Sequence, residues 1–478
     1  MIIVFFYVVV SFASSQTEGC TDPVACNFDP SAEVDNGSCI YPDECGICFG
    51  NNNSCSSEAV NFLGNWKGTH DESILAEYLW EWIEYNLKPY NEVWGYTNEA
   101  GNEYALIGTW DGTHIIDLST YPNAPQEISF IPGSFSSHRD IKTFGHYMYI
   151  GTEANLGDPD LLPNWVVDPE GVQVVNIADP ANPVLVNEWD QIYQSHNLMI
   201  DDNGYLYVIG TDALDDLNIL DLSNPEFPVK VGGWSYSSGP SEEGYLHDVC
   251  IHEDILYGCA IYRDRMYALD ISDKSNPQLL HAWDGIPWAH ACWVSEDGST
   301  LFTGSETVGG HIMSWDVSGI TDGNVNLLDE WLPPGGELWS AHNLFVKGNY
   351  LYISYYVYGL QILDISDPNN LVRVGYYDTL EEPSGISIYS GVWGVFPYFN
   401  SNKVLISDRL NGLYVLEDAA TFSLGDVNAD GGLNILDIVI IVNIILGTSE
   451  FVPTADVNQD GGINILDVVT LVNMILES

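Results

Sequence analysis

Between Ser57 and Phe422 short apolar runs alternate with turn residues, and one phrase returns about every forty to fifty residues. It comprises an extended opening, an aromatic strand of Tyr-Leu-Tyr character, an aliphatic strand ending in Asp, an Asn-Pro or Asp-Pro turn, and a last strand ending near Trp. The fullest copies read NGYLYVIG to LNILDLSNPEFPVKVGGW, ILYGCAIY to MYALDISDKSNPQLLHAW, and NYLYISYY to LQILDISDPNNLVRVGYY. Four short strands per repeat at this period predict the blades of a mainly β propeller.

Seven units open near Trp94, His138, His196, His247, His290, His342 and Trp393. The seventh stops at Tyr414-Val415-Leu416-Glu417 without an outer strand, while VNFLGNW, from Val60 to Trp66, reads like the outer strands VLVNEW and VKVGGW. An N-terminal strand completing the last blade would close the circle and remove two exposed sheet edges. The irregular, helix-like stretch from Asp71 to Tyr90 leaves six or eight blades as alternatives to a seven-bladed β-propeller.

The segments YNEVWGYTN, HRDIKTFGHYMYIGTE, SHNLMIDDNGYLYVIGTDA, LHDVCIHEDILYGCAIYRDRMYALDIS, WAHACWVSEDGSTLFTGSE, AHNLFVKGNYLYISYYVYGLQILDIS and VWGVFPYFNSNKVLISDRLNGLYVLE give this region its family likeness. It resembles the choice-of-anchor B family, built of LVIVD-type repeats. The resemblance implies an extracellular propeller paired with a C-terminal anchoring or docking module, and it implies no established reaction.

The tail has a different pattern, a twelve-residue acidic loop present twice, in GDVNADGGLNILD from Gly425 and ADVNQDGGINILD from Ala455. Oxygen ligands fall at loop positions 1, 3, 5, 9 and 12 as Asp426, Asn428, Asp430, Asn434 and Asp437, with the Gly432 carbonyl at position 7. Asp456, Asn458, Asp460, Gly462, Asn464 and Asp467 repeat the scheme. Gly431 and Gly461 supply the sharp turn of an EF-hand-type calcium loop, with Asp at position 12 where Glu is usual. Two calcium ions are therefore expected. Each loop opens into a short helix, Leu436 to Leu446 and Leu466 to Leu476, apolar over most of its surface, so the two helices pack together or a partner covers what remains. At eleven residues neither crosses a bilayer, which needs ~20.

The loop–helix pair resembles a type I dockerin over Leu424 to Ser478, a calcium-folded module that docks onto cohesin domains in polysaccharide-degrading assemblies. The resemblance implies that positions 10 and 11, here Ile435 with Leu436 and Ile465 with Leu466, face a cohesin-like or cell-surface partner. Both pairs are aliphatic where that family commonly carries small or hydroxylated residues.

With 12 basic against 68 acidic residues, the chain carries a net charge of -56, and every basic residue lies between Lys67 and Arg409. Phosphate binding needs clustered cations, so nucleic acid and anionic membrane are poor partners. A hydrophobic content of 46% argues against disorder despite the charge. The apolar run Ile2 to Ala13, followed by Ser14, Ser15 and Gln16, reads as a secretory signal, although no Lys or Arg precedes it. Cys20, Cys26, Cys39, Cys45, Cys48 and Cys55 crowd an N-terminal segment too polar for a core, so disulfides are expected in pairings that sequence leaves open. The string CTDPVACNFDPSAEVDNGSC resembles a short Asp-rich, cysteine-rich module of secreted bacterial surface proteins. The expected layout is a signal peptide at 1–15, this module at 16–56, the propeller at 57–422 and the calcium-binding domain at 423–478.

Rotation relates the blades, so equivalent positions on the innermost strands converge on the channel. His138, His196, His247, His290 and His342 share one register, with Trp94 and Trp393 in the remaining blades and Arg139 as an alternative to His138. Such a ring could hold a transition metal or an anionic or sugar ligand. Alternatively each imidazole caps a strand by bonding to the neighbouring blade. Ser295-Glu296-Asp297-Gly298-Ser299-Thr300 looks loosely like a sialidase Asp box but reads as a hairpin turn, and no Gly-x-Ser-x-Gly or His-Glu-x-x-His motif occurs. The expected function is a secreted, extracellular or surface-attached binding protein with no transmembrane segment, taking a glycan or protein at the propeller face. The rival is a polysaccharide-active hydrolase with the propeller as catalytic domain.

Overall fold

Seven antiparallel sheets follow one another along the chain in the computed structural model. The structure describes residues 18–19, 34–35, 57–58, 60–68, 89–119, 124–134, 136–153, 171–211, 214–236, 244–380 and 387–418, and in the tail 425, 427, 433–447, 455, 457–458 and 462–477. Blade 1 runs from the innermost strand Tyr90–Thr97 to the outer strand Gln126–Pro132, blade 2 from Arg139–Phe144 to Val184–Trp189, and blade 3 from Asn197–Ile200 to Val229–Trp234. Blade 4 spans Asp248–His252 to Gln278–Asp284, blade 5 Ala289–Val294 to Asn324–Trp331, and blade 6 Leu344–Lys347 to Val372–Tyr377. Seven blades form without the stretch 69–88, which lies outside the described residues.

Blade 7 takes Val392–Phe396, Lys403–Asp408 and Gly412–Asp418 from the end of the domain and its outer strand, Val60–Trp66, from the beginning. All seven pairings between third and outer strand carry a register shift at the same place, as at Ile219/Leu220 and Ile362/Leu363, and the N-terminal strand's is among them, between Val415 and Leu416. A bulge sharpens local twist. Val60–Trp66 is thus a true outer strand by its geometry as well as its position. The backbone of Ser57–Glu58 adds to the edge of blade 6.

The Asp that ends the aliphatic strand has a local task. In blades 1, 3, 4, 5 and 6, Asp117, Asp221, Asp270, Asp316 and Asp364 each accept the amide two residues on, closing an Asx turn that leads the chain to its outer strand. Strands of the YLYVI and LNILD type are buried on both faces, and the cores lie between neighbouring sheets: Tyr149 and Val174 of blade 2 pack with Leu198, Leu206 and Val208 of blade 3. Cys250, Cys259 and Cys292 are free thiols in the core between blades 4 and 5. Ser295 to Thr300 forms a hairpin turn, with Asp297 accepting from Ser295 Oγ and the Ser299 amide.

In the tail, helices α1 (Ile435–Ile445) and α2 (Ile465–Glu477) pack on a small core in which Val427, Ile441, Ala455, Val457 and Leu471 are buried. The first unit, Met1–Cys55, is described only at Glu18–Gly19 and Val34–Asp35, which pair in parallel. The expected signal peptide and the six cysteines Cys20 to Cys55 lie outside the described residues. Among those described, no helix is long and apolar enough to cross a membrane.

Candidate functional site

The starts of the innermost strands carry the ring that rotation predicts. His196, His247 and His342 each send their amide to the carbonyl of the second strand, at Ile209, Cys259 and Ser354. His290 and Trp393 sit at register shifts, between Ala289 and Ala291 and between Val392 and Gly394, which re-aim the side chain. Space at this level is tight: Gly210, at a φ of 61°, leaves no room for a Cβ, which would stand 2.2 Å from that of His196.

Six aromatic rings close a loop. Centroid separations run 5.0 Å from His138 to His196, 3.8 Å to His247, 4.5 Å to His290, 4.3 Å to His342, 4.3 Å to Trp393 and 4.9 Å back to His138. His138 takes the second blade's place. Arg139 turns toward blade 1, where Nε donates to the Thr109 carbonyl at 3.0 Å and a terminal nitrogen to Ser134 at 2.6 Å.

Trp94 is not in the ring. A register shift between Tyr90 and Val93 puts Asn91 and Glu92 at the channel end of blade 1, and Trp94 pairs with Leu106 farther along the strand. There it stacks edge-on with Phe345 and Phe396, donates Nε1 to Thr143 Oγ1 at 3.2 Å and lies under the Lys142 ammonium. With Phe144, Asp201, Asp202, Trp293 and Tyr398 it lines a separate space of about 350 Å³. No aromatic spacing in the sequence reveals that bulge.

Carboxylates surround the imidazoles. Glu153 binds two of them, at 2.6 Å to His196 Nδ1 and 3.1 Å to His138 Nδ1. Glu306 accepts from Tyr356 Oη at 2.6 Å and stands 3.6 Å from His290 Nε2. Beneath lies a second polar tier, in which Asn343 donates to Glu92 at 2.7 Å, Asn197 to Asp248 at 3.0 Å, and Lys142 to Asp140 at 2.8 Å. The tiers enclose a space of about 20 Å³, lined by His138, His196, His290, His342, Glu92 and Asn343 among others. That admits one water-sized occupant.

Desolvation sets the protonation here. It lowers His138 to about 4 against the opposing pull of Glu153, and lowers His247, His290 and His342 well below the usual imidazole value. Burial also acts on His196, but the Glu153 charge and hydrogen bond outweigh it and raise that group. Glu153 is held down at about 2 because the two imidazoles overcome its desolvation, whereas burial pushes Glu306 up to about 7 and Glu92 to about 8.

The capping alternative accounts for part of the ring. His342 Nδ1 donates to the Trp393 carbonyl of the next blade at 2.6 Å, and His290 faces the backbone of His342. It does not account for His247, which is buried with neither ring nitrogen hydrogen-bonded among the described residues.

At the end of each tail loop a fully buried Asp gathers backbone donors. Asp437 accepts from the Val427 and Asn434 amides at 2.8 and 2.9 Å, and Asp467 from Asn458 and Asn464 at 3.1 and 2.7 Å. Asn434 and Asn464 cap α1 and α2 through the Leu436 and Leu466 amides. A buried carboxylate fixed where loop meets helix fits a hard cation, which takes oxygen ligands. Asp426, Asn428, Asp430, Gly432, Asp456 and Asp460 lie outside the described residues. The helices expose a repeated apolar set: Ile435 and Ile465 at 69% and 63%, Leu436 and Leu466 at 56% and 55%, Val439 and Val469 at 50% and 52%.

Residues 424–476 match the dockerin type I domain, and residues 243–284 and 340–379, which contain blades 4 and 6, match the LVIVD repeat. A 24-residue stretch is 75% identical to the chloroplastic ribulose bisphosphate carboxylase/oxygenase activase of Oryza sativa subsp. japonica, and spans 5% of this chain and 5% of that protein. Among solved structures, the β-propeller domain of Myceliophteria thermophila Cps50 (Swd1) is 12% identical with a TM-score of 0.47, covering 69% of this chain and 97% of that one. A functionally unknown protein from Desulfotomaculum acetoxidans is 14% identical with a TM-score of 0.42, covering 62% and 88%. A putative 6-phosphogluconolactonase from Bacteroides fragilis is 15% identical with a TM-score of 0.45, covering 67% and 88%.

Proposed function

We propose that this chain, which joins LVIVD repeats in a seven-bladed propeller to a C-terminal type I dockerin domain, is a secreted binding protein attached through its tail to a scaffold or surface partner. Dockerin domains bind calcium and dock onto cohesin partners, and they occur in extracellular proteins. One calcium per loop is the reading the duplicated ligand pattern supports, with Asp437 and Asp467 closing the two cages. The boundaries at 1–15, 16–56, 57–422 and 423–478 belong to the same proposal.

The observation that carries it is the solvent-facing aliphatic set on α1 and α2, repeated at equal sequence offset and left uncovered by the small core between the helices. Repeated exposed Ile, Leu and Val side chains are what a docking face offers to an apolar partner surface. The test is binding of the full chain to a panel of type I cohesin domains, with calcium and with EDTA. We expect calcium-dependent binding that Leu436→Asp combined with Leu466→Asp weakens about a hundredfold or more, roughly 3 kcal/mol, while amide protection in α1 and α2 is unchanged. Binding indifferent to the double substitution, or no cohesin bound at all, defeats this reading.

The aromatic space bounded by Trp94, Trp293 and Tyr398 supports a further ligand face on the propeller. Flat rings beside carboxylates suit a sugar, whose apolar face stacks while its hydroxyls hydrogen-bond. A glycan array on the full chain should give signals that Trp293→Ala removes, and signals unaffected by that change would exclude this surface.

A further inference from the structure

The channel ring poses a problem that packing leaves unsolved. His247 sits between His196 and His290 with both ring nitrogens unbonded among the described residues. Buried polar atoms are as a rule hydrogen-bonded, so two unbonded nitrogens on one buried imidazole need an explanation.

We propose that His196, His247 and His290, from blades 3, 4 and 5, hold one divalent transition-metal ion. One ligating nitrogen from each lies within 4.8 Å of those of the other two. Small side-chain shifts would bring them to the ~3.4 Å edge of a tetrahedron with ~2.1 Å metal–nitrogen bonds. The surroundings match a metal's outer shell. Glu153 accepts from His196 Nδ1, and a neutral imidazole that donates through Nδ1 keeps its lone pair on Nε2, the form in which histidine ligates.

Size and donor type select the occupant. A space of about 20 Å³ is far below what a sugar needs. Imidazole donors favour zinc, copper or nickel over calcium or magnesium, which take oxygen. The further groupings His138–Glu153–His196 and His290–Glu306–His342 share donors with the first, so one ion is expected. This inference is independent of the docking reading, since it uses no residue of the tail.

The full chain, saturated with calcium to occupy the tail loops, is titrated with Zn²⁺ by calorimetry. One equivalent should bind, with affinity at least tenfold lower in His247→Gln and in His196→Gln, each checked for an unaltered near-ultraviolet circular dichroism spectrum. No saturable zinc binding, or binding that both variants retain, overturns the proposal. The wild-type chain provides a reading that needs no variant: Cu²⁺ bound to calcium-loaded protein should show an electron paramagnetic resonance spectrum with nitrogen hyperfine structure. An oxygen-only spectrum overturns the proposal as well.

Discussion

In the propeller, Glu92 and Asp248 are set in the interior of a domain whose inter-sheet cores each contain ten or more buried residues, and desolvation raises both, Glu92 to about 8, which favours the protonated form. In the tail, Asp437 and Asp467 are as fully buried, but beside a core of five buried residues, and they meet a row of backbone amides. A chain of net charge -56 thus has two ways of taking acid out of water. A large apolar core can bear the cost and neutralise the group with a proton or a nearby cation. A small one gains its order from an ion that the carboxylates themselves collect, because metal binding and folding are then one process.

Chelation breaks the comparison most directly. In EDTA, amide hydrogens of α1 and α2 should exchange about a thousandfold faster or more, the loss of roughly 4 kcal/mol of local stability, while the innermost and second strands of the blades keep their protection. Hydrogen exchange read by mass spectrometry resolves the two regions in one sample. Unchanged protection in 435–445 and 465–477 would mean that the tail core stands without the ion.

The same contrast explains what was legible beforehand. The blades follow from local rules that recur around the domain: short apolar strands between turn residues, an Asx turn at Asp221 and its equivalents in five blades, and an outer strand ending at or next to Trp or Tyr in six. The closing strand Val60–Trp66 could be read because its residues copy those of the other outer strands. The helices were legible to within one residue, since the capping Asn434 and Asn464 mark their starts. Bulges were not legible. One of them, between Tyr90 and Val93, moves Trp94 out of the ring and brings Glu92 to the channel, and no residue type in YNEVW announces it. Nor does any sequence spacing show that Arg139 turns aside for His138, because that depends on carbonyls of Thr109 and Ser134 in three dimensions.

The smallest expected effect concerns the proton side of the comparison. Asp378 follows the outer strand of blade 6 and faces Asp408 of blade 7; burial first, then that neighbouring charge, pushes its carboxyl up to about 7, while the Leu380 amide at 2.9 Å pulls the other way. A native pKa above the unfolded one means that the folded state holds the proton more tightly. The stabilising contribution is therefore complete below the unfolded value near 4 and is lost as pH rises through about 7. Asp378→Asn preserves an oxygen for the Leu380 amide and removes the titration. Because the side chain is only half-buried, solvent reduces the effect to about 1–2 kcal/mol, so the variant's Tm should exceed that of the wild type by about 2–4 °C at pH 8.5. At pH 5, between the unfolded and folded values, the advantage should fall to less than half, and below pH 4 it should vanish. A Tm difference independent of pH would show that Asp378 keeps its charge in the folded chain, and that this part of the propeller tolerates buried acid without a proton.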